Sequence, residues 1–202
     1  MIYIVLDTET TGLDIQKDGI ISFSYIITDL EQEFERGTIE MNPWNGIPTE
    51  EELMSAARAL EVNGYSVEDI MKFQAPTKGM EAISDVIRRA TQLNNGFWPR
   101  LIGYNITGYD WPLIKNQAKK YGVELPMTYY LQIDVLSGVI MLDAMGLIPV
   151  KRKADGKPMG NRLCEAVEKL EIPAEQDKFH GSMYDVEMTL QVFKALQKRL
   201  GK

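Results

Sequence analysis

The sequence predicts an α/β fold in which helices pack on a mixed sheet. Three observations carry this reading. Runs rich in β-branched and aromatic residues follow one another at the start, at 2–6, Ile20–Thr28 and Phe34–Met41. Helical spacing and helix-start signals then take over, interrupted by a further strand-like run at Arg100–Tyr104. No repeat, low-complexity tract or linker breaks the 202 residues, 45% of them hydrophobic, so residues 1–202 are read as one domain with a sizeable core.

Each element has its own signal. The apolar run at 2–6 reads as a buried strand. The next two runs are joined by the charged turn Asp29–Glu33, so three antiparallel strands in succession are the simplest arrangement. Pro43, Gly46 and Pro48 make Asn42–Pro48 a loop. Thr49 with Glu52 forms a capping box that opens a helix to about Leu60, and Ser66 followed by Asp69 opens a shorter one. Residues 77–94 carry Met80, Ile83, Val86, Ile87 and Ala90 at helical spacing. Trp111–Tyr121 is a helix with Pro112 in its opening turn. Ile133–Leu147 carries signals for both strand and helix. Helices at about 161–170 and 183–200 close the chain, with Lys194, Lys198 and Arg199 crowding the end where the dipole favours cations.

The bulk numbers exclude some classes of function. A net charge of −7 argues against coating nucleic acid through a broad basic surface, although a short piece can still be held beside bound cations. The single cysteine, Cys164, excludes an internal disulfide and suits a reducing compartment. No leader-like segment and no apolar run near the ~20 residues of a membrane span stands out. A soluble cytoplasmic protein with no membrane contact is expected. Any imidazole chemistry must use His180, the one histidine.

Asp7 and Glu9 sit two residues apart at the end of the first strand, so both side chains leave the same face. At ~5 Å and an effective dielectric of ~20, the two charges repel by about 3 kcal/mol. A proton on one of them or a divalent cation on both relieves this; so does simple exposure to water at the strand end. Two further acids matter. Asp110 follows the strand and turn LIGYNITGY and precedes a helix, where an N-cap role is the structural alternative. Asp185 follows His180 in FHGSMYD, where Ser182 with Asp185 reads equally as an ordinary cap. On a continuous helix His180 and Asp185 stand ~140° apart, so they converge only if His180 lies on a loop before it. Gly181-Ser182 supplies that break.

Asp7-Thr-Glu9-Thr-Thr-Gly, Asn105-x4-Asp110 and His180-x4-Asp185 together resemble the three-motif pattern of the DEDD exonuclease superfamily. The closer likeness is to its DEDDh branch, which includes the proofreading epsilon subunit of DNA polymerase III, ribonuclease T and oligoribonuclease. The sister branch has a tyrosine where this chain has Gly181. The segment ALEVNGYSVEDI extends the resemblance, and motif order and spacing agree across nearly the whole chain.

The resemblance implies a ribonuclease H-like fold, a five-stranded mixed sheet flanked by helices. It implies a catalytic set of Asp7, Glu9, Asp110, His180 and Asp185. The four carboxylates would hold two divalent cations, Mg²⁺ or Mn²⁺, and His180 would be the general base. The expected reaction is 3′–5′ exonuclease hydrolysis that releases nucleoside 5′-monophosphates from single-stranded or 3′-terminal DNA or RNA. Thr10, Gly12 and Leu13 map to the turn facing the terminal nucleotide. There Leu13 either wedges against the last base or makes a small core contact. Asn105 either orients Asp110, touches the backbone, or satisfies a turn through its side chain. The alternative function is a weakly active end-binding or proofreading-type module working with a polymerase partner. A structural protein whose acids are caps and surface charges is the third.

Two features stand outside the motifs. Lys151, Arg152, Lys153 and Lys157 form a basic loop in an acidic chain, read as solvated or as phosphate-tracking. Trp111 is assigned to packing beside a helix start, with Trp44 and Trp98 left open for base stacking.

Overall fold

The computed structural model describes residues 1–127 and 131–201. Among the described residues five strands, β1 (Tyr3–Thr10), β2 (Ile20–Thr28), β3 (Glu33–Glu40), β4 (Arg100–Gly103) and β5 (Gln132–Asp134), form one sheet in the order β3-β2-β1-β4-β5. β2 pairs antiparallel with β1 and β3, whereas β4 runs parallel to both β1 and β5. The helices are α1 (Glu50–Asn63), α2 (Val67–Ile70), α3 (Pro76–Leu93), α4 (Asp110–Tyr121), α5 (Val135–Ala144), α6 (Leu163–Lys169) and α7 (Ser182–Arg199).

Strand alternation divides the core between the two faces of the sheet. Ile4 and Leu6 of β1 pack with Phe23, Ile83 and Val86 of α3, and Leu113 and Ile114 of α4. Val5 faces the other way, with Ile26, Ile102, and residues of α5, α6 and α7. Every residue of β2 is buried, as its place between β3 and β1 under helices on both faces requires. Among the described residues no helix is long and apolar enough to cross a membrane.

Several boundaries differ from the sequence reading, each for a physical reason. β1 continues beyond residue 6 because β2 supplies partners for the polar end, pairing Asp7 with Ser24 and Glu9 with Ser22. The capping box at Thr49 forms, but α1 runs on to Asn63 until Gly64, at φ 73°, ends it with its N–H on Leu60 O. The ambiguous 133–147 stretch divides at Asp134. β5 ends there, and the Asp134 side chain accepts from Ser137 N to open α5. Asp110 is the first helical residue of α4, with Tyr109 at the N-cap, so the N-cap reading of Asp110 is overturned. The Ser182 cap is also not formed: Gly181 is the N-cap of α7, and the Ser182 hydroxyl lies 2.7 Å from that of Ser24.

Candidate active site

The end of β1 carries the site. Asp7 and Glu9 share the face of Val5, so they point toward the layer of α7. Asp185, in the first turn of α7, comes down on them. Asp7, Glu9 and Asp185 each offer one oxygen within 4.8 Å of the others.

Thr8 and Thr10 face the opposite layer, where α4 begins. β1 pairs with β4 only as far as Val5↔Ile102, so the Thr8 N–H has no strand partner on that edge. Asp110 takes the partner's place. Its Oδ1 accepts from Thr8 N at 3.1 Å and from the Thr8 hydroxyl at 2.7 Å. Asp110 is buried and stands outside the group of three, yet its charge is felt by Asp7 and Glu9.

Crowding and burial hold these acids toward their neutral forms. Burial raises the Asp7 carboxyl well above the usual range, and the charges of Asp110, Glu9 and Asp185 add to it. Burial, then Asp185 and Asp110, push Glu9 up to about 8. Burial raises Asp110 and Asp185 to about 6 each, against the opposing pull of Thr8 on Asp110 and of His180 on Asp185. Asp185 Oδ1 is buried, with no hydrogen-bond partner among the described residues. An all-oxygen donor set with an unpartnered carboxylate oxygen fits a hard divalent cation.

His180 is exposed and in the left-handed region at φ 70°, just before the helix, so the expected break is present. Its backbone N–H donates to Asp185 Oδ2 at 3.2 Å. Tyr184 is turned to packing. Its hydroxyl accepts from Glu175 N at 2.6 Å, and its ring meets Phe179 edge-on at 5.3 Å.

A groove of about 550 Å³ opens beside Glu9, between the loop after β1 and α1, lined among others by Leu13, Arg58, Val62 and Asn63. Leu13 is 86% exposed, which overturns its reading as a core contact. Thr10 is buried, and its carbonyl accepts from Asn63 Nδ2 at 3.2 Å. Gly12 is required by close approach, since a Cβ there would lie 2.5 Å from the Asp18 carboxylate. That carboxylate accepts from the Thr11 hydroxyl at 3.0 Å and from Asp14 N at 2.7 Å.

Asn105 makes the turn before α4. At φ 65°, its carbonyl accepts from Gly108 N and Tyr109 N, each at 3.0 Å, and its N–H donates to Asp134 Oδ1. Asp134 also accepts from the N–H and hydroxyl of Thr107. Sequence reasoning missed Thr8, Asn63, Tyr109 and Asp134. Only Asp134 carried a usable signal, an acid directly before the apolar run VLSGVIML.

The basic loop is a small hairpin whose charges are spoken for. Lys153 Nζ lies 2.7 Å from Glu165, whose carboxyl it helps pull down to about 2. Lys157 pairs with Asp155 at 3.1 Å, and Lys151 Nζ donates to Glu168 O at 2.7 Å. These pairings favour the solvated reading. Trp111 is buried, as assigned; Trp44 is partly buried and Trp98 is exposed.

The sequence matches the RNase T exonuclease family over residues 4–193. The chain belongs to that family. The resemblance to DEDD exonucleases is thus borne out for the superfamily. Solved structures agree in fold. Exonuclease I from Methylocaldum szegediense is 18% identical, with a TM-score of 0.79 over 100% of this chain and 41% of that one. E. coli exonuclease I in complex with a dT13 oligonucleotide is 18% identical, with a TM-score of 0.77 over 99% of this chain and 42% of that one. A structure described as an ExoI/SSB-Ct complex is 16% identical, with a TM-score of 0.74 over 99% and 42%. The exonuclease-family chain spans about two fifths of the length of these neighbours. Their likeness bears out the ribonuclease H-like fold. No curated protein matches the sequence.

Proposed function

We propose that this exonuclease-family chain removes nucleoside 5′-monophosphates one at a time from the 3′ end of single-stranded DNA or RNA. The observation that carries the reading is the convergence of Asp7, Glu9 and Asp185 at the end of β1, with buried Asp110 held beside them by Thr8 and its charge felt by Asp7 and Glu9. The two cores share a single sheet, which supports treating residues 1–202 as one catalytic domain.

Asp7, Glu9, Asp110 and Asp185 would together hold two divalent cations, Mg²⁺ or Mn²⁺. Such ions, when bound, neutralise charge on the attacking and leaving oxygens and make a water acidic enough to attack. The chain's own residues do the rest. Thr8 holds Asp110 in one orientation through its two donors. The groove beside Glu9 receives the terminal nucleotide, with exposed Leu13 set against its base. His180 accepts the proton of the attacking water, on a turn tied to Asp185 by its own N–H. The oxygen that leaves is the 3′-oxygen of the next nucleotide, so the released product keeps the phosphate at its 5′ carbon. The dT13 oligonucleotide named with a structural neighbour, and the net charge of −7 here, support short or single-stranded ends over long duplex.

The test uses matched DNA and RNA oligomers labelled at the 5′ end, incubated with and without Mg²⁺. The reading expects a ladder that shortens from the unlabelled end only with metal, with 5′-monophosphates as the small product. Cleavage at internal positions, or shortening that persists in chelator, would overturn it.

A further inference from the structure

We propose that the Tyr109 hydroxyl is a positioning group: it anchors the turn that presents Leu13, so that α4 sets both Asp110 and the wall of the nucleotide groove. This rests on the exonuclease reading above and names a residue that reading does not need.

Tyr109 stands at the N-cap of α4 with φ −139° and ψ −72°, and its side chain makes no capping bond. The hydroxyl reaches across to the end of β1. It lies 2.6 Å from the Thr10 hydroxyl and also bonds Gly12 O, which is itself 2.8 Å from the Thr10 hydroxyl. Two hydroxyl protons serve these three contacts, so two bonds form at a time and Gly12 O always has a donor.

Two more side chains of α4 extend the same attachment. Asn116 Nδ2 donates to Ile15 O and Gln117 Nε2 donates to Asp18 O, both at 2.9 Å. Positions 109, 116 and 117 are spaced by seven and eight residues, which puts them on one side of the helix. Three carbonyls of the loop, at residues 12, 15 and 18, are therefore held by one helix. Leu13 lies between the first two and remains 86% exposed at the groove. The ring of Tyr109 packs against the core on the α3–α4 face, and a phenylalanine would serve that packing equally. The hydroxyl is what ties the turn to α4, beyond the bond that Thr10 itself gives Gly12 O.

Tyr109→Phe, Leu13→Ala and the double variant are compared on a single-stranded oligomer in Mg²⁺, alongside amide hydrogen exchange of residues 10–18. Loss of one hydrogen bond predicts a rise in KM of about fivefold for Tyr109→Phe, with kcat within about twofold. If the hydroxyl acts through Leu13, the double variant is little worse than Leu13→Ala, and exchange at 10–18 speeds up while the melting temperature stays close to that of the unsubstituted protein. An unchanged KM, additive effects in the double variant, or unchanged exchange overturns the proposal. Faster exchange in a protein with no exonuclease activity supports the anchor and overturns the function instead.

Discussion

Thr8 donates twice to one oxygen of Asp110, with its N–H along the open edge of β1 and with its hydroxyl from the face opposite to that bearing Asp7 and Glu9. One strand end thereby gathers carboxylates from both layers of the fold, two by its own side chains and one by holding the start of α4. The arrangement depends on β4 pairing no further than Val5, which leaves a backbone donor for a side chain to use.

Thr8→Val keeps the branched shape and removes the hydroxyl from a buried carboxylate. Hydrogen bonds to charged groups contribute about 2 kcal/mol. For a chain of this size the melting temperature should fall by ~4–8 °C, with Thr8→Ser restoring most of it. Calorimetry at neutral pH checks this; a fall below a degree would mean that Asp110 needs no such support.

The raised carboxyls give stability a definite pH dependence. In the folded state Glu9 holds its proton up to about 8, and Asp110 and Asp185 hold theirs to about 6, above the ordinary carboxylate range. Between those limits the folded state binds more protons than the unfolded chain, so metal-free stability falls as pH rises from ~4 toward 8. The proposed divalent cations would bind the ionised, folded form. Stabilisation by millimolar Mn²⁺ should therefore grow across this window, as thermal melts with and without metal at each pH will show. A metal effect that is flat with pH would place binding on other groups.

His180→Ala removes the proposed base while leaving the backbone contact to Asp185 available. Turnover should drop by ~10²-fold or more with little change in KM, as single-turnover kinetics can establish. A rate within a few-fold of the original would assign the proton to another group.

Lys153 is engaged by Glu165, and its neighbours in the hairpin bind local acids and carbonyls. Lys153→Ala should change KM for an oligonucleotide by less than about twofold and leave its salt dependence unaltered. A shallower salt slope would show that the hairpin contacts phosphates after all.

The sheet and most helices were legible because hydrophobic runs, caps and breakers acted locally. The capping box at Thr49 and the spacing of Ile83, Val86 and Ile87 are examples that formed as read. The three motifs brought the acids into view for the same reason: Asp7 and Glu9 share a strand face, and Gly181 breaks the chain before Asp185. Contacts between distant segments were not legible. Nothing in the residues next to Thr8 announces Asp110, 102 positions away, and nothing near Tyr109 announces Gly12, 97 positions away. The apolar run 2–6 alone understates β1, because pairing with β2 carries the strand through its two acids to Thr10 despite the poor strand propensity of charged residues. Leu13 was left open because its exposure depends on how the loop is held against α4.

The central claim is that charge crowded at the end of β1 is stabilised by doubly charged ions. Crystals grown with Mn²⁺ and a nucleoside 5′-monophosphate, measured for anomalous scattering, test it most directly. The account predicts manganese bound to oxygens of Asp7, Glu9 and Asp185, at ~2.0–2.3 Å by analogy with other hard divalent cations, with Asp110 bound directly or through water. Nucleotide bound in the groove with no anomalous peak among these carboxylates would contradict it.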